Sequence, residues 1–165
     1  MCRAVCVTDI DNALVPIAKS LAGHPGLGGY EILNEMEGSV IPGQSNANAC
    51  FDTRALTGTG AGWSGGQIPM VRPRPPPPRQ CATAARRLTV APCHLLQYRM
   101  LRFIGSLAAA IRSVDRDTRV TSAAWSEHSI TSRCGYYNYY ADECLAAAAG
   151  LSQRDTHLSF YEVHT

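Results

Sequence analysis

No stretch of this chain stays apolar for the ~20 residues that a membrane-spanning helix requires. Its amino terminus, Met1-Cys2-Arg3-Ala4-Val5-Cys6-Val7-Thr8-Asp9, lacks the long apolar region and cleavage site of a secretory leader. Charge imbalance is also missing. A formal net charge of +2 over 165 residues argues against a dedicated nucleic-acid binder, although arginines bunch locally. The seven cysteines fit no zinc pattern: Cys2 and Cys6 stand three residues apart, but no second pair follows at finger spacing. Nothing in the sequence calls for a metal or other cofactor, and neither a membrane nor a nucleic acid is expected as partner. What is present, 45% hydrophobic residues, suffices for one domain with its own core.

The hydrophobic pattern alternates in type along the chain. Asp11 to Leu21 reads as a helix with Leu14, Ile17 and Leu21 on one apolar stripe and Gly23 ending it; Pro16 is tolerable only near a first turn, so the helix either begins late or bends there. A Pro/Gly-rich link delivers the chain to Tyr30–Leu33, whose aromatic and β-branched content predicts a buried strand. Residues 39–70 form a long loop containing Phe51 and Trp63, and ordered loops of that length are usually functional. Beyond the proline-rich stretch, Leu101, Ile104, Ala108 and Ile111 recur at helical spacing, which predicts a helix over Tyr98–Val114. Asp115-Arg116-Asp117 is a polar turn, and Arg119–Trp125 a strand. Tyr136–Ala149 reads as a helix stopped by Gly150, and His157–His164 as a final strand. Helix and strand alternating in this way imply parallel strands with helices packed outside.

The strand at Tyr30 ends in a carboxamide and a carboxylate, Asn34-Glu35, and ligands of α/β folds collect at that end of a strand. The surrounding run His24-Pro25-Gly26-Leu27-Gly28-Gly29-Tyr30-Glu31-Ile32-Leu33-Asn34-Glu35-Met36-Glu37-Gly38 resembles the fourth barrel strand of the clan-A glycoside hydrolases, particularly the animal endo-β-1,4-mannanases. The family usually has Pro where this chain has Met36, a difference in the turn. The loop motif Cys50-Phe51-Asp52-Thr53 … Gly60-Ala61-Gly62-Trp63 is similar to a family loop over the active-site face. Periodicity alone would fit a flavodoxin-like sheet equally well; the resemblance selects the barrel. It implies an incomplete (β/α)8 TIM barrel, from the third helix to the sixth strand, since 165 residues fall short of the ~250 of a whole barrel.

The resemblance implies a hydrolase of β-1,4-mannosidic bonds, with a mannan-type polysaccharide as substrate. Glycoside hydrolysis takes two carboxyl groups, and in retaining enzymes they stand ~5–5.5 Å apart. By the family pattern Glu35 is the general acid/base and Asn34 binds the sugar 2-hydroxyl. The proton donor must keep its proton near neutral pH, through a neighbouring anion or desolvation. Trp125 and His164, at the ends of the next two strands, are candidate substrate contacts, the first by stacking on a sugar face. A core role for Trp125 and a surface one for His164 weigh about as much.

The family nucleophile ends the seventh strand, so none is assigned here and the isolated chain is expected to be inactive. Secretion is implied only by the family. Glu31 is expected to share the face of Glu35 at the barrel floor, beside a cationic partner. Glu37 and Glu127 read as solvated loop carboxylates. Cys50 and Cys144 either form a disulfide, as a secreted relative allows, or remain free buried thiols.

One segment stands apart. Residues 71–97 contain Arg72-Pro73-Arg74-Pro75-Pro76-Pro77-Pro78-Arg79, which permits only polyproline II and packs no core. In the resembled family Ile68-Pro69-Met70 would run almost directly into Tyr98. The segment begins with Val and ends with Gln, whose codons carry intron boundary signals. We expect a disordered, retained-intron-like insert; an SH3-type partner for Pro75–Pro78 is the weaker reading. Finding only unspliced message, with a protease-resistant segment, would count against the insert. Two further alternatives remain for the whole chain: a non-catalytic carbohydrate-binding remnant and a Pro-rich interaction protein.

Overall fold

The computed structural model describes residues 10–35, 40, 42–54, 97–124, 127–133 and 136–163. Of the expected insert only Gln97 falls among them, and there the expectation fails: Gln97 is buried and opens a helix. The rest of the insert, Trp63, Trp125 and His164 lie outside the described residues.

The chain enters through a π-helical turn, Ile10–Leu14, that runs into helix α1, Val15–Leu21, with Pro16 in its first turn where a missing N–H is tolerated. The expected stripe needs correction. Ala18 is the buried residue, Leu14 and Leu21 are half-buried, and Ile17 is 55% exposed. In the α-helix that follows Leu14 the buried stripe runs through Leu14, Ala18 and Leu21, at spacings of four and three, and Ile17 falls beside it. Gly23, at φ +73°, reverses the chain as expected.

Strand β1, Tyr30–Asn34, pairs in parallel with β2, Val120–Ala124, which pairs in parallel with β3, Glu162–Val163, giving the sheet order β1-β2-β3. Every residue of β2 is buried, as the central strand of a sheet covered on both faces must be. Between β1 and β2 lies helix α2, Gln97–Arg112, one residue earlier at its start and two shorter at its end than the spacing predicts. Its predicted apolar face holds: Leu101, Ile104 and Ala108 are fully buried and Ile111 nearly so.

Two later elements differ from expectation. Helix α3 spans Asp142–Ala149, not Tyr136–Ala149. The Asn138 side chain accepts a hydrogen bond from the Tyr140 N–H at 3.0 Å, a local turn that competes with helix, and Tyr139 and Tyr140 are buried within it. Gly150, left-handed at φ +69°, ends α3 as expected. The final strand is only Glu162–Val163; Gln153–Thr156 forms a short helix, α4, capped by the Ser152 hydroxyl, and His157, the first residue of the predicted strand, is its C-cap. Leu158–Tyr161 then runs beside β2 through separate contacts. The Ser159 N–H donates to Val120 O at 2.7 Å, and the Thr121 hydroxyl donates to Phe160 O at 2.9 Å.

Helices α2 and α3 cross at Gly105. A Cβ there would lie 3.0 Å from Leu145 O and 3.2 Å from the Ala149 Cβ, neither of which can yield without moving α3. Gly105→Ala, ordinarily helix-favouring by about 1 kcal/mol, is therefore expected to destabilise the chain by roughly 1–3 kcal/mol through overpacking. Urea midpoints of the two proteins check the sign.

Tyr30 and Asp115 join the opposite end of the sheet to α1. The Tyr30 hydroxyl lies 3.0 Å from Asp115 Oδ2 and 3.2 Å from Ala18 O, and Asp115 Oδ1 also accepts from the Thr118 N–H. Asp115 lies in the predicted polar turn, yet it is only 4% exposed. Burial, helped by the neighbouring Asp115 carboxylate, pushes the Tyr30 hydroxyl up to about 12. Burial, helped by the nearby Asp52, does the same to Tyr139.

Candidate active site

The carboxyl end of β1 is not a plain strand end. Tyr30 pairs with Val120 and Glu31 with Thr121, but Asn34 pairs with Ala123, so β1 uses three steps where β2 uses two. One extra residue is accommodated at Ile32-Leu33, and both are half-buried against the core. A bulge of this kind changes which side chain faces which way beyond it. The Ser122 hydroxyl donates to Leu33 O at 3.2 Å within the irregular step.

Glu35 follows at φ +50°, the one non-glycine residue with positive φ among the described residues. Its N–H donates to Ala123 O at 3.0 Å, which ties the turn to β2. A side chain held in the left-handed region costs about 1–2 kcal/mol, and such residues cluster at functional sites. The bulge and the turn together break the alternation that would place Glu31 and Glu35 on one face. Glu31 is solvent-exposed in this part of the barrel. Asn34 is exposed and Glu35 half-buried at the mouth of the β1–β2 pair. Trp125 and His164, which directly follow Ala124 and Val163 in sequence, are outside the described residues. Among the described residues the structure therefore brings together Asn34 and Glu35.

Sequence reading missed a second polar assembly on the segments that follow β1 and β2. Residues 42–54 fold back on themselves: the Gly43 N–H donates to Thr53 O at 3.0 Å and the Thr53 N–H to Gln44 O at 2.9 Å. Within this loop the turn Ala49–Phe51 is capped by the Asn48 side chain. Cys50 is bonded to Cys144 of α3, with 5.2 Å between their Cα atoms. Of the two readings left open for these cysteines, the disulfide is the one observed. Cystine sulfur carries no hydrogen, so the Tyr137 hydroxyl is the donor toward both sulfurs, at 3.6 and 3.8 Å.

Between this loop and the tyrosine segment opens a groove of about 650 Å³. Asn46, Ala47, Ala49, Asp52 and Arg54 line one wall; Tyr137 and Tyr139 line the other. Arg54 Nε and Nη2 fork onto the Asp52 carboxylate, and the Tyr139 hydroxyl donates to Asp52 O at 2.6 Å. The signals were present, in Cys50-Phe51-Asp52-Thr53 and in the tyrosine-rich run 136–140. Their meeting depends on tertiary contact.

Hydrogen bonds from the Arg54 side chain and backbone hold the Asp52 carboxyl down at about 2. Burial pushes Asp115 up, but hydrogen bonds from Thr118, Tyr30 and Asp117 together outweigh it and leave that carboxyl below its usual range. A lowered carboxyl contributes stability above its unfolded value near 3.9, and that stability is lost as pH falls through the native value. Raised tyrosines do the reverse, stabilising below about pH 10 and losing that contribution as pH climbs toward 12. Thermal melts across pH are expected to show a plateau, an acid fall beginning near pH 4 and an alkaline fall beginning near pH 10. In Asp115→Asn the acid fall is expected to shrink.

A parallel sheet in sequential order with helices after its strands is the arrangement of part of a (β/α)8 barrel, and an Asn-Glu pair follows the carboxyl end of its first strand. The relatives of this chain are animal endo-1,4-β-mannanases, homologous to it over nearly its whole length. It is 39% identical over 157 residues to a mannan endo-1,4-β-mannosidase of Mytilus edulis, covering 94% of this chain and 35% of that protein. It is 35% identical over 156 residues to the one of Cryptopygus antarcticus, covering 94% and 33%. The crystal structure of endo-1,4-β-mannanase from Eisenia fetida superimposes with a TM-score of 0.74 at 36% identity, covering 96% of this chain and 36% of that one. The chain thus spans about a third of the length of the relatives it matches. No family model matches it. No helix among the described residues is long and apolar enough to cross a membrane.

Proposed function

We propose that this chain forms the third-helix-to-sixth-strand part of a retaining endo-1,4-β-mannanase that hydrolyses β-1,4-mannosidic bonds of plant or algal mannan. Glu35 donates a proton to the leaving oxygen and later activates water; Asn34 holds the sugar 2-hydroxyl as charge develops in the transition state. Trp125 and His164 are assigned as substrate contacts on the family pattern. The observation that carries the reading is the placement of Glu35. It follows the carboxyl end of a parallel strand, turned by a bulge and a left-handed residue and tied to the neighbouring strand. Mannanase relatives align across this region.

The nucleophile belongs to a strand that the family pattern places outside these residues, so the 165 residues alone are expected not to hydrolyse mannan. The experiment is a hybrid in which this chain replaces the matched third of the Mytilus edulis enzyme. Mannan hydrolysis by the hybrid supports the reading; a folded but inert hybrid defeats it. The Cys50–Cys144 disulfide supports an extracellular location, since such bonds persist in oxidising compartments.

A further inference from the structure

We propose that Arg112 is a positioning residue for Glu35, acting through Ser159 and along strand β2. The inference rests on the reading of Glu35 as proton donor and extends it to a residue at the opposite end of β2.

Arg112 is the last residue of α2 and is only 6% exposed. Among the described residues no carboxylate lies within 4 Å of its guanidinium, and its Nε is buried without an acceptor. Burial pulls the guanidinium below its usual range, and the more distant Asp142, Asp115 and Asp155 offset that only in part. A buried cation without a contacting counter-ion is costly, and an apolar side chain of similar volume would often serve packing as well. What the arginine supplies is direction. Its Nη2 donates to His157 O and to Ser159 Oγ, both at 3.1 Å.

Those two acceptors join three segments. His157 is the C-cap of α4, and Ser159 lies on the run into β3. The same Ser159 oxygen accepts from the Val120 N–H at 3.0 Å, while the Ser159 N–H donates to Val120 O. Both lone pairs of the hydroxyl are thereby taken, which fixes its rotamer. Val120 opens β2. From there the Thr121 hydroxyl bonds Phe160 O, and Ala123 pairs with Glu162, so the two segments advance in step from the node to the ladder. Among the described residues that ladder has two registered pairs, and the node anchors its other end.

At its far end β2 holds the acid. Ala123 O accepts the Glu35 N–H, and Ala123 pairs with Asn34 on one side and Glu162 on the other. A shift of β2 along its axis therefore reaches Glu35 directly. One residue of slip is about 3.3 Å, and a misplacement of about 1 Å near the chemistry costs up to roughly 10²-fold in rate. Guanidinium suits this use because its donors stand in a fixed plane, whereas an ammonium rotates freely on its stem.

Amide exchange in the 165-residue chain and turnover in the hybrid enzyme test this together. Ser159→Ala and Arg112→Met are expected to speed exchange of the Glu35 amide about tenfold, while the Gly43 amide, bonded within its own loop, keeps its rate. In the hybrid both substitutions are expected to lower kcat by about 10–10²-fold with little change in KM. Neither should lower it further in a Glu35→Gln background, since changes that act through one group do not add. Ser159→Ala removes a single hydroxyl and keeps the test open if Arg112→Met fails to fold.

Equal acceleration at Glu35 and Gly43 would show general loosening and overturn the inference, as would equal kcat losses with and without the Glu35 carboxyl. An unmoved Glu35 amide removes it whatever the hybrid does. Selective acceleration at Glu35 beside an inert hybrid removes the hydrolase reading alone.

Discussion

Glu35→Gln in the hybrid mannanase is expected to lower kcat by about 10²–10⁴-fold, the usual worth of a positioned general acid/base. The amide keeps the shape and the hydrogen-bonding capacity of the side chain but has no proton to give. The backbone should be unaffected, since the left-handed turn at φ +50° and the Glu35 N–H bond to Ala123 O do not depend on the side-chain charge. Unchanged thermal stability beside lost turnover is therefore the signature. The second half of the test uses a substrate with a good leaving group, which needs no protonation. Bond cleavage should recover far more for that substrate than for mannan. Equal losses in the initial burst of leaving-group release, which precedes the water-activating step, would place Glu35 in binding rather than proton transfer.

Removing the disulfide should produce the largest change in stability. Cys50 and Cys144 are 94 residues apart in sequence, and native disulfides closing long loops contribute about 2–5 kcal/mol, largely by restricting the unfolded chain. For a chain of this size that corresponds to a fall in Tm of roughly 5–15 °C. Cys50→Ser with Cys144→Ser should melt earlier than the parent. Dithiothreitol should lower the parent to the level of the variant while leaving the variant's own transition in place. The disulfide also carries the Tyr137 hydroxyl contact, so the variant should lose tyrosine near-UV dichroism before the sheet opens. A melt insensitive to reductant would show that the bond adds nothing to folding.

Much of the framework was legible because it depends on local sequence. Leu101, Ile104, Ala108 and Ile111 repeat at the helical period, and each is buried. Gly23 and Gly150 stop helices because only a residue without a Cβ enters the left-handed region cheaply. Errors arose where one local signal competed with another. Tyr136–Ala141 carries a helix-compatible apolar pattern, but the Asn138 side chain bonds the Tyr140 N–H and holds a turn. His157–Tyr161 resembles a strand, but His157 caps α4, and only Glu162–Val163 joins the ladder.

The sequence by itself determined the alternation of helices and strands, the apolar faces they bury and the position of an acid directly after a strand. These follow from spacing and from each residue's own conformational preferences. Only the tertiary structure decided which face that acid takes, because the extra residue at Ile32-Leu33 is defined by register against β2. It also selected Cys50 and Cys144 as a bonded pair and set Asp52, Arg54, Tyr137 and Tyr139 around one groove. Those relations join residues tens of positions apart. They exist only once the chain has packed, when distance in space has replaced distance in sequence as the controlling variable.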